Sequence, residues 1–265
     1  MRPFKYRLLT LAAVLAGCEV GPGPQMSHLT VRLTDAPAPE LASAEIWISK
    51  VYLVGDGTRF TITETPQQFD LLTLQNGVTG LLGDITIPAG DYTSLHLIVD
   101  SARVTLADGV LFSDGSNSRQ MKVPSGPQTG LKVNFGGPIH IAPGETDLLV
   151  DFDVLRSFVF QGPRDNPHGV IFKPVLHGVV TDQAGSISGT SSPAAALGVL
   201  FAINGTDTVA SALADPSTGA YALLFLPPGA YTVADSSTVN GHLAPSQNVT
   251  VGVGEHVTGV DFTIP

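Results

Sequence analysis

Cysteine is almost missing: one residue, Cys18, in 265. That excludes a disulfide framework and any zinc site built from paired cysteines. Charge is sparse, at 14% of residues, and bases are the scarcer sign, 13 against 23 acids. No basic stripe exists to release phosphate counterions, so a general nucleic-acid binder is excluded. Long apolar runs are absent too. After residue 18, no segment reaches the roughly 18 apolar residues expected of a membrane-spanning helix. Catalytic signatures are equally wanting: there is no G-x-S-x-G elbow, H-E-x-x-H pair, P-loop or G-x-G-x-x-G. The seven histidines, His28, His96, His140, His168, His177, His242 and His256, include no two within four residues, so no local metal clip is predicted.

The N-terminus carries an address. Arg2, Lys5 and Arg7 form a positive region, and Leu8 to Ala16 is an apolar stretch too short to span a bilayer. It ends in Leu15-Ala16-Gly17-Cys18, with the sole cysteine last. This resembles the bacterial lipobox, which implies lipidation of Cys18 as the first mature residue and stable attachment to a membrane. Glu19, rather than Asp, follows it, and the resemblance then implies delivery to the outer membrane of the cell envelope. Residues 1–17 are expected to be the signal peptide. Residues 18–27, rich in Pro and Gly, are expected to be a tether. Three of the 13 bases leave with the signal, so 10 face 23 acids, net −13. The body is expected to be repelled by anionic lipid and held by its anchor.

The rest alternates with period two. Leu29, Val31 and Leu33 interleave with Thr30, Arg32 and Thr34. Leu95, Leu97 and Val99 share a face, as do Val249, Val251 and Val253, and Val260, Phe262 and Ile264. Turn signals such as Gly55-Asp56-Gly57, Asn76-Gly77 and Pro227-Pro228-Gly229 separate the runs. Leu71 to Leu82 has some helical character, but Asn76, Gly77 and Gly80 interrupt it, and a loop or short turn is predicted. The fold class is all-β, as two antiparallel β-sandwich modules. The first is placed at 28–180 and the second at 181–265, with the small polar stretch Gly185 to Pro193 following the boundary.

Five separated blocks run through the first module: VRLTDAPAPELASAEIWISKVYL, FDLLTLQNG, IPAGDYTSLHLIV, LLVDFDVLRSFV and FKPVLHGVV. In this order they resemble the bacterial family called domain of unknown function 4382. Its members are typically predicted lipoproteins, so the resemblance implies location and fold but no chemistry. The second module carries GVVTD from Gly178, DPSTGAY from Asp215 and LPPGAYTV from Leu226. It is similar to carboxypeptidase-regulatory-like, transthyretin-like domains, which implies an accessory sandwich without catalytic residues. Tyr221 and Tyr231 follow turns and are expected to pack across that sandwich.

The sharpest polar constellation is Asp151-Phe152-Asp153. On a strand, residues i and i+2 share a side, roughly 7 Å apart at about 3.4 Å per residue. Such a pair suits acid and base roles in glycoside hydrolysis, or calcium ligation with nearby carbonyls. Calcium is therefore the one cofactor considered, with Asp151 and Asp153 as its ligands. Glu145 and Asp147 lie just upstream, and Asp35 and Asp100 end other strands. Val150, Phe152 and Val154 are expected to face the core, leaving the two Asp on a wet face, ionised and balanced by Arg156 or Lys173. Trp47, the only Trp, is not placed beside them. The loops Asp114 to Arg119 and Pro124 to Gly130 are the predicted recognition loops.

These observations favour a non-enzymatic, lipid-anchored envelope protein with a binding or structural role. Its partners are the membrane, through the anchor, and an envelope protein or glycan. Two alternatives stay open: a calcium- or carbohydrate-binding cell-surface module, and a hydrolase using Asp151 and Asp153.

Overall fold

The computed structural model describes residues 23–265, except 36, 37, 39, 40, 76, 124–128, 164 and 197. Cys18, its signal, the first half of the tether, Asn76 and most of the 124–130 loop lie outside the described residues.

The chain is all-β. Two sheets enclose the first core. One runs in the order Leu176–Val180, Gly144–Phe152, Met26–Asp35, Gly80–Pro88. The other is built on two long strands, Leu41–Gly55 and Ser94–Leu106, flanked by Thr58–Thr63 and Ser118–Lys122. Alternation decides what each strand buries. Leu29, Val31 and Leu33 are fully buried, as are Leu95 and Leu97. Each such side chain contributes about 1.5–3 kcal/mol relative to exposure. The long pair carries three register shifts, which let it twist over the core.

Pairing is mostly antiparallel. The exception in the first module is Met26–Asp35, which enters parallel to Gly144–Phe152 and antiparallel to Gly80–Pro88. This puts the first strand in the middle of its sheet, so its apolar face is covered along its length. Over Leu71 to Leu82, where a loop or short turn is predicted, the chain makes one 3-10 turn, Leu71–Leu74, capped by Asp70, and then enters the Gly80–Pro88 strand.

A second, separate cluster gathers Ile187, Leu200, Leu223, Leu226, Tyr231, Val233, Val251 and Phe262. Its strands are Gly185–Ser192 with Ala220–Leu226, and Val199–Asn204 with Asp207–Leu213, Gly229–Asp235 and Gln247–Val251. The small polar stretch after residue 184 is therefore a central strand. Its composition has a steric cause. A Cβ on Gly189 would lie 2.0 Å from the Val260 carbonyl oxygen, because the C-terminal segment crosses directly over it. Its one deeply buried hydroxyl, Ser191, donates to Asp235 at 2.5 Å. Val260, Phe262 and Ile264 are buried as their alternation predicts. Val253 is not: it is 71% exposed, because the strand ends at Val251 and the chain turns.

One local device occurs in both modules. In Pro88-Ala89-Gly90-Asp91-Tyr92, the Tyr92 hydroxyl donates to the Pro88 carbonyl at 2.6 Å. In Pro227-Pro228-Gly229-Ala230-Tyr231, the Tyr231 hydroxyl donates to the Pro227 carbonyl at 2.5 Å. Each bond closes a strand-to-strand turn and lets a buried ring keep its polar atom satisfied. Burial pushes the Tyr231 hydroxyl up to about 12, so it stays a donor throughout the working range.

Two outcomes follow from this architecture. Tyr231→Phe should lower stability by about 1 kcal/mol, the net worth of one hydrogen bond, read from urea unfolding; no change would mean that water replaces the hydroxyl. The separate second cluster predicts that residues 181–265 fold alone. A fragment of that range should give dispersed amide resonances, whereas a random-coil spectrum would show that the cluster depends on the first module.

Candidate functional site

The Gly144–Phe152 strand turns Leu148, Val150 and Phe152 into the first core, each fully buried. Leu149 and Asp151 point the other way. That face is not open to water. Leu149 is 2% exposed, and residues of the second module lie across it. Between them is a cleft of about 390 Å³. Its floor is Leu149, Asp151, His177, Gly178 and Val179. Its opposite wall is supplied by Asp207, Ser211, Leu224, Phe225 and Pro227.

The wet face predicted for the acidic pair is corrected here. Asp151 is half-buried on the cleft floor, and its burial, with the neighbouring charge of Asp153, pushes its carboxyl up to about 8. Asp153 does not share its position. The strand ends at Phe152, and Asp153 caps the short helix Val154–Ser157, accepting from the Arg156 amide at 3.0 Å. It is 4% exposed, and burial raises its pKa, opposed by the Arg156 amide and guanidinium. The period-two argument failed because the strand was one residue too short for it.

Arg156, one of the two predicted counter-ions, does approach Asp153, at 4.0 Å. Its larger role is to join the modules: its guanidinium donates to the Thr208 carbonyl at 2.8 Å and lies 3.9 Å from Asp207. Lys173 is exposed and makes no ion pair among those found in the described residues. Of the other acids considered, Asp35 reaches the cleft and accepts from the Val154 amide at 3.3 Å. Asp100 accepts from Ser49 elsewhere, and Asp147 and Glu145 are exposed. Among the described residues, no group of three or more His, Cys, Asp or Glu converges to hold a metal ion. Asp153 commits one carboxylate oxygen to its cap, whereas Asp151 lines the cleft.

The partner that the sequence did not supply is His177. The Leu176–Val180 strand pairs antiparallel with Gly144–Phe152, and places His177 directly opposite Asp151. Cross-strand neighbours of this kind have Cβ atoms about 5 Å apart. Burial and the Arg156 charge lower the His177 pKa, against a smaller opposing pull from Asp207, so the ring is neutral near pH 7. Its Nε2 is buried without a hydrogen-bond partner. The other strand histidines are satisfied: His96 stacks on Tyr52 and bonds Ser94 and Thr129, and His140 bonds Asp91.

Two aromatic rings frame the floor. Phe135 lies against Gly178, where a Cβ would sit 2.3 Å from the ring. Phe225 reaches the cleft through a bulge: Leu223 pairs with Ile187 and Leu226 with Gly185, leaving Leu224 and Phe225 opposite Ser186 alone. Its φ is 57°, a strained value for a bulky side chain, costing about 1–3 kcal/mol. The run Leu223-Leu224-Phe225-Leu226 breaks alternation, and that break was the available signal. Trp47 stands apart, under Arg103 at 5.3 Å. The Asp114 to Arg119 loop is self-closed, with Asp114 bound to Ser116 and to Arg119 at 2.6 Å. These bonds, Arg119 foremost, hold the Asp114 carboxyl down at about 2.

Comparison with known proteins adds a family. The profile described as "Domain of unknown function (DUF4382)" matches residues 26–174. No curated protein matches the chain. Among solved structures, the chain is similar to the Bacillus anthracis TIE protein (13% identity, TM-score 0.24), covering 91% of this chain and 34% of that one. It is also similar to a streptococcal ancillary pilin (12%, 0.24), covering 92% and 64%. A third is GBS52, a minor pilin of Streptococcus agalactiae (12%, 0.24), covering 91% and 96%. The chain thus spans about a third of the first and under two thirds of the second.

Asp151 generates a signed pH prediction. Its folded pKa lies above its unfolded value near 3.8, so the folded chain keeps a proton that the unfolded chain releases. The resulting stability is complete below about pH 4 and is lost as pH rises toward about 8. Asp151→Asn keeps the shape and removes the titration. Its melting temperature should gain on wild type between pH 4.5 and 8.5, by about 2–4 °C for each kcal/mol recovered. The exposed Asp147→Asn variant should show no such trend. An Asp151→Asn gap independent of pH would place that carboxyl in water.

Proposed function

The chain belongs to the DUF4382 family, and from that premise we propose that it is a membrane-anchored envelope lipoprotein with a non-enzymatic binding role. The observation that carries the anchor is Leu15-Ala16-Gly17-Cys18, with the only cysteine at the position a lipobox requires. The Pro- and Gly-rich segment after it leads into the first strand at Met26, so the folded part begins within a few residues of the membrane. Among the described residues no helix is long and apolar enough to cross a bilayer. Outer-membrane delivery rests on Glu19. The second module serves as a carboxypeptidase-regulatory-like accessory sandwich, a reading supported by its Asp215 and Leu226 hairpin blocks and by the buried Tyr221 and Tyr231.

A binding role is supported over catalysis by how the cleft is furnished. General acid catalysis needs a protonated carboxyl beside a base or nucleophile. Asp151 meets the first condition. Asp153, the expected second carboxylate, is turned into a helix cap; the base left beside Asp151 is His177, which also serves as a hydrogen-bonding group for a ligand, and among the described residues no lysine, cysteine or arginine lines the cleft. What remains is a half-enclosed space in which polar groups alternate with apolar and aromatic side chains, a lining suited to holding a ligand.

The anchor is tested by feeding labelled fatty acid to cells producing wild type or Cys18→Ser. Label should enter the wild type and disappear from the variant, which should also leave the membrane fraction. Equal labelling of both would overturn the assignment.

A further inference from the structure

We propose that the cleft between the modules binds a neutral sugar, with Phe135 and Phe225 as apolar walls and Asp151 and His177 as the hydrogen-bonding floor. This deepens the binding role and rests on that reading.

Charge narrows the ligand first. Among the described residues no lysine or arginine lines the cleft, and the Arg156 guanidinium beside it is held by the Thr208 carbonyl and Asp207, so a phosphate or carboxylate would meet no free counter-ion there. A cation is disfavoured for a different reason. The acids present do not converge: Asp207 lies beside Arg156, and Asp35 accepts the Val154 amide. Asp151 holds a proton up to about pH 8, which makes it a donor as well as an acceptor. A neutral ligand bearing several hydroxyls suits such a floor, since each hydroxyl both donates and accepts.

The unpaired atoms point the same way. His177 Nε2 on the floor and Ser211 Oγ on the opposite wall are buried without partners. Leaving such atoms unpaired is costly, so a ligand hydroxyl that reaches them recovers what the free protein loses. Asp151 and His177 stand side by side in register, which sets two polar groups within the span of adjacent hydroxyls.

The walls supply the complementary surface. Phe135 has one side pinned to Gly178, and Phe225 is turned into the cleft by the bulge. Aromatic surface covers the C–H faces of a sugar ring while the floor reads its hydroxyl edge. At about 390 Å³ the space is at the small end of ligand pockets, sized for one or two sugar units and not for a folded partner.

The test uses the full-length mature protein in mild detergent. Glucose, galactose, mannose, N-acetylglucosamine, maltose and cellobiose are titrated by calorimetry, with spermidine and calcium chloride as cationic probes. At least one saccharide should bind saturably. Its affinity should fall about tenfold in Phe225→Ala, disappear in Asp151→Leu and stay within about threefold in Asp151→Asn, which keeps a donor. Gly178→Ala, which displaces Phe135, provides an independent second variant, and thermal melts verify that each protein folds. The proposal is overturned if no saccharide binds, if binding survives both Phe225→Ala and Asp151→Leu, or if spermidine or calcium binds in place of the sugars. Release of monosaccharide from maltose or cellobiose would sustain the site and overturn the non-enzymatic role. Equal fatty-acid labelling of wild type and Cys18→Ser would overturn the anchor and leave the cleft untouched.

Discussion

The covering of one strand on both faces is the constraint on which the rest of this structure depends. Gly144–Phe152 gives Leu148, Val150 and Phe152 to the first core. Its other side, Leu149 and Asp151, would belong to solvent in a lone two-layer sandwich. Here the second module lies over it. That single arrangement buries Leu149, takes Asp151 out of bulk water, and leaves a cleft where two sheet surfaces fail to mesh. The Arg156 bond to the Thr208 carbonyl ties the modules at the edge of the same region. A guanidinium is suited to that position, because it holds several acceptors at once without giving up its charge.

Burying a carboxyl without an ion-pair partner costs free energy, and proteins meet this cost by neutralising the group. Asp151 does so by keeping its proton. His177, set opposite, does so by losing one. The two shifts have opposite signs and the same leading cause, burial, reinforced by the Asp153 charge at one and the Arg156 charge at the other. An acid and a base that are both neutral within one register step form a pair able to recognise hydroxyl groups without net charge. Of the 23 acids in the sequence, Asp35, Asp151 and Asp207 line the cleft, and among the described residues no three His, Cys, Asp or Glu converge as a metal-holding group.

Much of the fold was legible from period-two alternation. Leu29, Val31 and Leu33, and Val260, Phe262 and Ile264, face the interior as their spacing requires. Alternation misleads at strand ends. Val253 keeps the pattern beyond the last paired residue and is exposed, and Asp153 keeps it beyond Phe152 and becomes a cap. Composition misleads where backbones touch. Gly185–Ser192 looks like a linker because the Val260 carbonyl leaves no room for a side chain on Gly189. The cleft itself was hidden for a third reason. Asp151 and His177 are far apart in sequence, and their pairing is a property of register that no local pattern encodes.

Phe225 shows why the cleft is more than a gap left by imperfect packing. A bulky residue at positive φ is unstable in isolation and persists only where its surroundings fix it. Its neighbours do so: Leu226 is fully buried in the second core, and Pro227, whose carbonyl holds Tyr231, anchors the turn that follows. A regular strand would have sent Leu224 and Phe225 to opposite faces. The bulge brings both to the cleft instead, at the expense of a ladder position and a relaxed backbone. Keeping the bulge maintains an aromatic wall across from Phe135, and that wall gives the polar floor between them an apolar surround.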